Sequence, residues 1–213
     1  MPTEAEGGSE SDFVFSVFRS ELQHQCSRGL VAWRKMNRAL NELRPGNSLP
    51  IDDFWYHSSA FLNSAANVSR MLWPTASTKQ VDDERQRAPP KYRGVRLRTH
   101  LGLKGPNPLA ARLLRDHFEH FDERMEHWAE TSKRRIFVDR SIGNPNHMAL
   151  GDPGDALRNY DPETRIMHFR GEGFALEPLA NALNDILEKV EQLDRVLWGP
   201  HSRKTHTVGT SEH

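Results

Sequence analysis

From Arg112 to Trp128 the chain reads RLLRDHFEHFDERMEHW, a run in which arginines and histidines alternate with acids and aromatic residues. Histidine transfers protons near neutral pH, and the forked guanidinium of arginine grips phosphoryl oxygens. Arg115 and His120 together suit phosphodiester chemistry. A ribose 2′-hydroxyl would attack its own phosphate, with His120 taking or giving a proton and Arg115 stabilising charge on the phosphorus oxygens. His117, Glu119, Arg96 and Arg98 are assigned to substrate binding. This chemistry calls for no metal and no cofactor.

Helical geometry sets what these residues can do. Leu114, Phe118, Phe121, Met125 and Trp128 step by four and three, which predicts one apolar seam facing a core. At ~100° per residue, Arg115 and His120 fall away from that seam, roughly 140° apart and about 7.5 Å along the axis. Asp116, Glu119 and Glu123 lie between them in angle. The same pattern also describes a solvated face laced with i,i+4 ion pairs. The spacing recurs at Arg19 and His24 and at Arg112 and His117. His117 borders the apolar seam, where a histidine is commonly packed or hydrogen-bonded.

The elements that must hold this run are mainly helical. Val14, Val17, Phe18, Leu22, Leu30, Trp33 and Leu40 predict a first helix from Asp12 to about Leu43, closed by Pro45-Gly46. Asp52 and Asp53 open a second, which runs through Trp55, Phe61, Leu62, Ala65, Val68, Met71 and Leu72 to Pro74. Thr75 to Pro90 reads as a surface loop. A short helix follows in the basic stretch Lys91 to Leu103. After the quoted helix, RRIFVD and RIMHFR read as two short strands, separated by a turn-rich stretch, with Asp161-Pro162-Glu163-Thr164 as a tight turn. Gly171-Glu172-Gly173 reads as the turn into a last helix, about Leu176 to Leu197, with Leu179, Leu183, Ile186, Leu187, Val190, Leu193 and Leu197 on one face. The expected fold is mainly α: an antiparallel bundle of four long helices plus a short one, with a small two-stranded β-hairpin insert.

Composition narrows the classes. The 213 residues suffice for one domain, expected at 12–198 with the strand insert at about 134–170, between disordered tails at 1–11 and 199–213. Lys+Arg and Asp+Glu both number 29, so any polyanion site is local. The single cysteine, Cys26, cannot form an internal disulfide, and its helical setting suits packing in a reducing cytosol. The acidic N-terminus lacks the apolar core of a secretory signal, and no stretch approaches the roughly 20 apolar residues of a membrane span. A cytoplasmic, membrane-free protein is expected.

The run Arg115-Asp116-His117-Phe118-Glu119-His120 resembles the R-x4-H signature of the HEPN superfamily (higher eukaryotes and prokaryotes nucleotide-binding), and the polar Asp116 directly after the arginine strengthens the likeness. The resemblance covers the helical scaffold from about Asp12 to Trp128 and the last helix. It implies a small helical bundle of bacterial type that pairs as a homodimer. It also implies a metal-independent ribonuclease whose two motifs meet at the dimer interface, in defence or toxin-antitoxin biology. An RNA substrate and an antitoxin or regulatory partner belong to the same implication. Some family members bind partners or nucleotides and do not cleave.

Two other classes stay open. One is a non-catalytic dimerisation or RNA/protein-binding module that uses the basic stretch Lys91 to Arg98. The other is a histidine/carboxylate metal bundle drawing on His117, His120, Glu123 and His127, with the E-x-x-H of Glu21-Leu22-Gln23-His24. Di-iron bundles need that motif twice, and the chain has it once. Phosphate-loop, dinucleotide-binding and nucleophile-elbow signatures are missing.

Overall fold

A computed structural model describes residues 4–44, 46, 49–74, 90–111, 121–132, 135, 138–144 and 156–198. Among these residues are five helices: α1 (Glu4–Asn41), α2 (Leu49–Leu72), α3 (Pro90–His100), α4 (Phe121–Thr131) and α5 (Leu176–Trp198). Four short strands, β1 (Ser141–Ile142), β2 (Arg158–Asp161), β3 (Ile166–Phe169) and β4 (Glu172–Ala175), lie in the order β1-β2-β3-β4. A 3-10 turn spans Pro108–Ala110.

Two antiparallel pairings organise the helices. Asn67 donates to Gln25 across α1 and α2 at 3.3 Å, and Trp33 meets Phe61 with ring centroids 5.3 Å apart. Arg19 on α1 pairs with Asp194 near the end of α5 at 2.8 Å. The three helices converge at Gly29, where an added Cβ would sit 2.8 Å from Leu183 and 3.1 Å from Ser64. Glycine suits that close approach, since a Cβ would displace the Leu183 side chain. Leu22, Cys26, Phe61, Val68, Leu183, Ile186 and Val190 fill the space between the helices.

Arg19 is almost fully buried, with Asp194 retaining about a third of its side-chain exposure. Removing the carboxylate strands a desolvated cation. Asp194→Ala should therefore cost about 3 kcal/mol, the low end for breaking a buried pair because Asp194 still touches water. Urea denaturation of that variant checks this, with Arg19→Met predicted to be far milder because it removes the charge as well.

The insert is a four-stranded mixed sheet, not the two-stranded hairpin expected. β1 runs parallel to β2, and Val138 extends the parallel pairing through a bridge to Ala156. β2, β3 and β4 are antiparallel in sequence. The row Ile142, Tyr160, Met167, Phe174 crosses one face, and Tyr160 stacks on Phe54 of α2 at 4.8 Å. The row Ser141, Asn159, His168, Gly173 crosses the other. β2 carries buried polar residues there. The amide of Asn159 donates to the carbonyls of Ser141 and Gly143 and to the Ser141 hydroxyl, which locks β1 to β2. Asp161 accepts the N–H of Glu163 at 3.0 Å and so builds the turn into β3. Burial opposes its charge, but hydrogen bonds from Thr164 and the Glu163 and Thr164 backbone outweigh that and hold its carboxyl below the usual range. The Gly171-Glu172-Gly173 stretch is not simply a turn. Arg170 and Gly171 make the two-residue hairpin loop, both with positive φ as a type I′ turn requires, and Glu172 already belongs to β4.

Other expectations shift for a shared reason. α1 begins at Glu4 and not Asp12, and its 38 residues span about 57 Å against about 36 Å for the 24 of α2. Its first turns overshoot α2. Val14 and Val17, expected in the core, are exposed there.

Candidate functional site

Arg115, Asp116, His117, Glu119 and His120 lie outside the described residues, as do Leu114 and Phe118 of the expected seam. The flanking pieces are described. Upstream, Asn107 caps the 3-10 turn by accepting the N–H of Leu109 at 2.9 Å. Leu109 is fully buried, and its carbonyl accepts the Ser69 hydroxyl of α2 at 2.5 Å. The chain therefore enters the Arg112–His120 run from a point anchored on α2. Downstream, α4 opens with Asp122 and Glu123 in its first turn, where the helix dipole favours negative charge. Trp128 is buried as the seam requires, whereas Met125 is 39 % exposed and does not belong to the core.

One copy of the R-x4-H spacing can be seen in full. On α1, Arg19 turns inward to Asp194 while His24 faces solvent, as positions roughly 140° apart on a helix must. That copy is structural. The other candidate, Arg112 with His117, lies outside the described residues. The general consequence is geometric: on a straight helix this spacing does not bring the arginine and histidine of one chain together.

The basic helix α3 spends its arginines on the scaffold. The guanidinium of Arg93 lies over the Phe18 ring at 4.3 Å, that of Arg96 over Phe15 at 5.6 Å and that of Arg98 over Trp73 at 5.7 Å. Arg98 also donates to the Leu72 carbonyl at the end of α2. Burial lowers the pKa of Arg93 from its ordinary value. The His100 ring stacks on Phe15 at 4.6 Å. Close approach of α3 to α2 is possible because Gly94 faces Pro74 and the Leu72 carbonyl, where a Cβ would come within 2.5 and 2.7 Å. Arg96 and Arg98 are thus cation–π partners of α1 and of the residue after α2.

Cys26 is packed between helices, and burial pushes its thiol up to about 12, which rules it out as a thiolate nucleophile at neutral pH. Glu21, of the E-x-x-H, accepts from Gln25 one turn later on its own helix at 2.7 Å. Among the described residues no three His, Cys, Asp or Glu side chains converge as metal ligands, and no helix is long and apolar enough to cross a membrane.

Sequence reasoning missed the polar architecture of the sheet. Arg158 makes a two-pronged pair with Asp139, at 2.8 and 2.5 Å, and lies over the Trp55 ring at 5.8 Å. Four arginines, Arg135, Arg140, Arg165 and Arg170, adopt the left-handed backbone region, which costs a residue with a Cβ roughly 1–2 kcal/mol. No periodicity announces such positions.

Comparison with protein families, with curated proteins and with solved structures finds no match for this chain.

Proposed function

We propose that the chain is a HEPN-like, metal-independent endoribonuclease that acts as a homodimer. The observation that carries this is the sequence Arg115-Asp116-His117-Phe118-Glu119-His120, which follows a turn anchored on α2. The reaction forms a bond from the ribose 2′-oxygen to the adjacent phosphorus and breaks the bond from phosphorus to the 5′-oxygen. His120 moves the proton, taking it from the 2′-hydroxyl or delivering it to the leaving oxygen. Arg115 faces the negative charge on the non-bridging oxygens. Asp116 orients the pair. An R-x4-H spacing carried on one helix would set its arginine and histidine roughly 140° apart, so two chains related by a two-fold axis would supply a complete set. A role in defence or toxin-antitoxin biology, with an antitoxin or regulator, follows from the resemblance.

Cleavage should continue in EDTA and leave a 2′,3′-cyclic phosphate, while DNA and 2′-methoxy RNA should resist, since both lack the nucleophile. Gel and mass analysis of the products checks all three. Activity that vanishes with EDTA and returns with added metal would instead revive the histidine-rich metal site.

A non-catalytic dimerisation or partner-binding module is the second reading. Phe13, Val14 and Val17 of α1 and Val196 and Leu197 of α5 are exposed at the end where the Arg19–Asp194 pair joins the two helices. Exposed apolar residues grouped in this way suit a protein contact. Binding of RNA without cleavage by the wild type would favour it.

A further inference from the structure

Among the described residues, every non-glycine with φ in the left-handed region is an arginine: Arg135 (50°), Arg140 (55°), Arg165 (58°) and Arg170 (49°). Turn geometry alone favours glycine at such positions, because a Cβ crowds the neighbouring carbonyl. Among the described residues, the side-chain contacts of Arg140, Arg165 and Arg170 are modest. Arg140 meets Asp52 at 3.3 Å with both side chains more than half exposed, and Arg165 meets Glu177 at 3.4 Å in a similar setting. Arg170 donates to the neutral Thr131 hydroxyl at 3.3 Å.

Topology brings three of the four together. The Leu157 N–H donates to the Val138 carbonyl at 2.8 Å, and the Arg170 N–H donates to the Leu157 carbonyl at 3.0 Å. These bonds line up the starts of β1 and β2 with the end of β3, so Arg140 and Arg170 flank Arg158 along one end of the sheet. Arg135, whose N–H donates to the Ser132 hydroxyl at 3.2 Å, stands next to Thr131 at the same end. Arg165 is at the opposite end, in the β2–β3 turn. Among the described residues, Asp52 pairs with Arg140, Asp139 precedes it in the chain, Glu172 follows the Arg170-Gly171 loop and Glu130 adjoins Thr131. Asp139 is committed to Arg158, and Asp52 takes one of the five donors of Arg140.

We infer that Arg135, Arg140 and Arg170, at the end of the sheet where β1 and β2 begin, bind the phosphodiester backbone of single-stranded RNA. The inference rests on the proposed ribonuclease reading for its ligand. Guanidinium forks match phosphate oxygens, and contacts confined to the backbone hold a strand without selecting its sequence. The sheet end then serves as a holding surface built from residues other than Arg115 and His120.

The test uses a fluorescent 2′-methoxy RNA oligonucleotide, which keeps the phosphates and lacks the hydroxyl needed for cleavage. Anisotropy titrations across a salt series give the slope of log affinity against log salt. Each arginine on a phosphate contributes about 0.7 to that slope for a single strand, so Arg135→Gly/Arg140→Gly/Arg170→Gly should lower it by about two. Each single change should lower it by about 0.7. Glycine is chosen because it suits positive φ and leaves the turns intact. Arg165→Gly, with the same backbone and charge change at the other end, should leave the slope unaltered. Equal slopes for wild type and triple variant, an equal loss in Arg165→Gly, or no binding by the wild type at low salt would each overturn the site. Cleavage of ordinary RNA reports separately. If it persists while the slopes coincide, only the holding surface falls; if the slopes separate and no RNA is cut, only the ribonuclease reading falls.

Discussion

His120→Ala should lower the rate of RNA cleavage by about 10²–10⁴, the usual cost of losing a general acid or base. Arg115→Ala should be similarly impaired, because the charge on the phosphoryl oxygens would lose its forked donor. Both variants should melt within about 0.5 kcal/mol of the wild type if these side chains project away from the core. The pairing of a large kinetic loss with unchanged stability is the useful signature. A histidine that held the helix in place would show the reverse, a clear fall in melting temperature. Circular dichroism and single-turnover cleavage on the same preparations separate the two.

The largest loss of stability is expected at Phe54. Its ring is fully buried in the first turns of α2, edge-on to Trp55 at 5.3 Å and against Tyr160 of β2 at 4.8 Å. It joins the sheet to the helices. Phe54→Ala removes both the transfer energy of the ring and the contacts its cavity walls leave unmade, about 3–5 kcal/mol. For a chain of this size that is a fall of about 6–20 °C in melting temperature. A fall under about 2 °C would mean that the sheet does not lean on α2 in the way described.

The helices were legible because their apolar residues recur with the helical period over several turns. α1, α2 and α5 each do so, and Leu183, Ile186 and Val190 are buried on the stripe the spacing marks. The sheet was half hidden. β3 reads as a strand from Ile166, Met167 and Phe169, but β2 is Arg-Asn-Tyr-Asp and β4 is Glu-Gly-Phe-Ala. Locally such residues signal turns, and only the distant carbonyls of Ser141 and Gly143 make Asn159 a buried strand residue. The packing of the α3 arginines was hidden for the same reason. Their stacking partners Phe15, Phe18 and Trp73 lie tens of residues away in the chain, and no local window contains them. Val14, Val17 and Met125 carry the apolar period without the burial, because period states which residues share a face and not how far a neighbouring helix extends. For the R-x4-H run, residue chemistry and spacing remain the basis of the assignment. The structure adds the anchored entry at Leu109 and the example of Arg19 and His24, whose side chains part company on one helix.

That divergence points to the most direct test of the paired site. Arg115→Ala and His120→Ala chains, each inactive alone, should be unfolded together, refolded as a mixture and assayed for RNA cleavage. If each site takes its arginine from one chain and its histidine from the other, half the dimers are mixed and each holds one intact site. The mixture should then recover about a quarter of the wild-type activity. A mixture as inactive as its two components, alongside an active refolded wild type, would contradict a site shared between two chains.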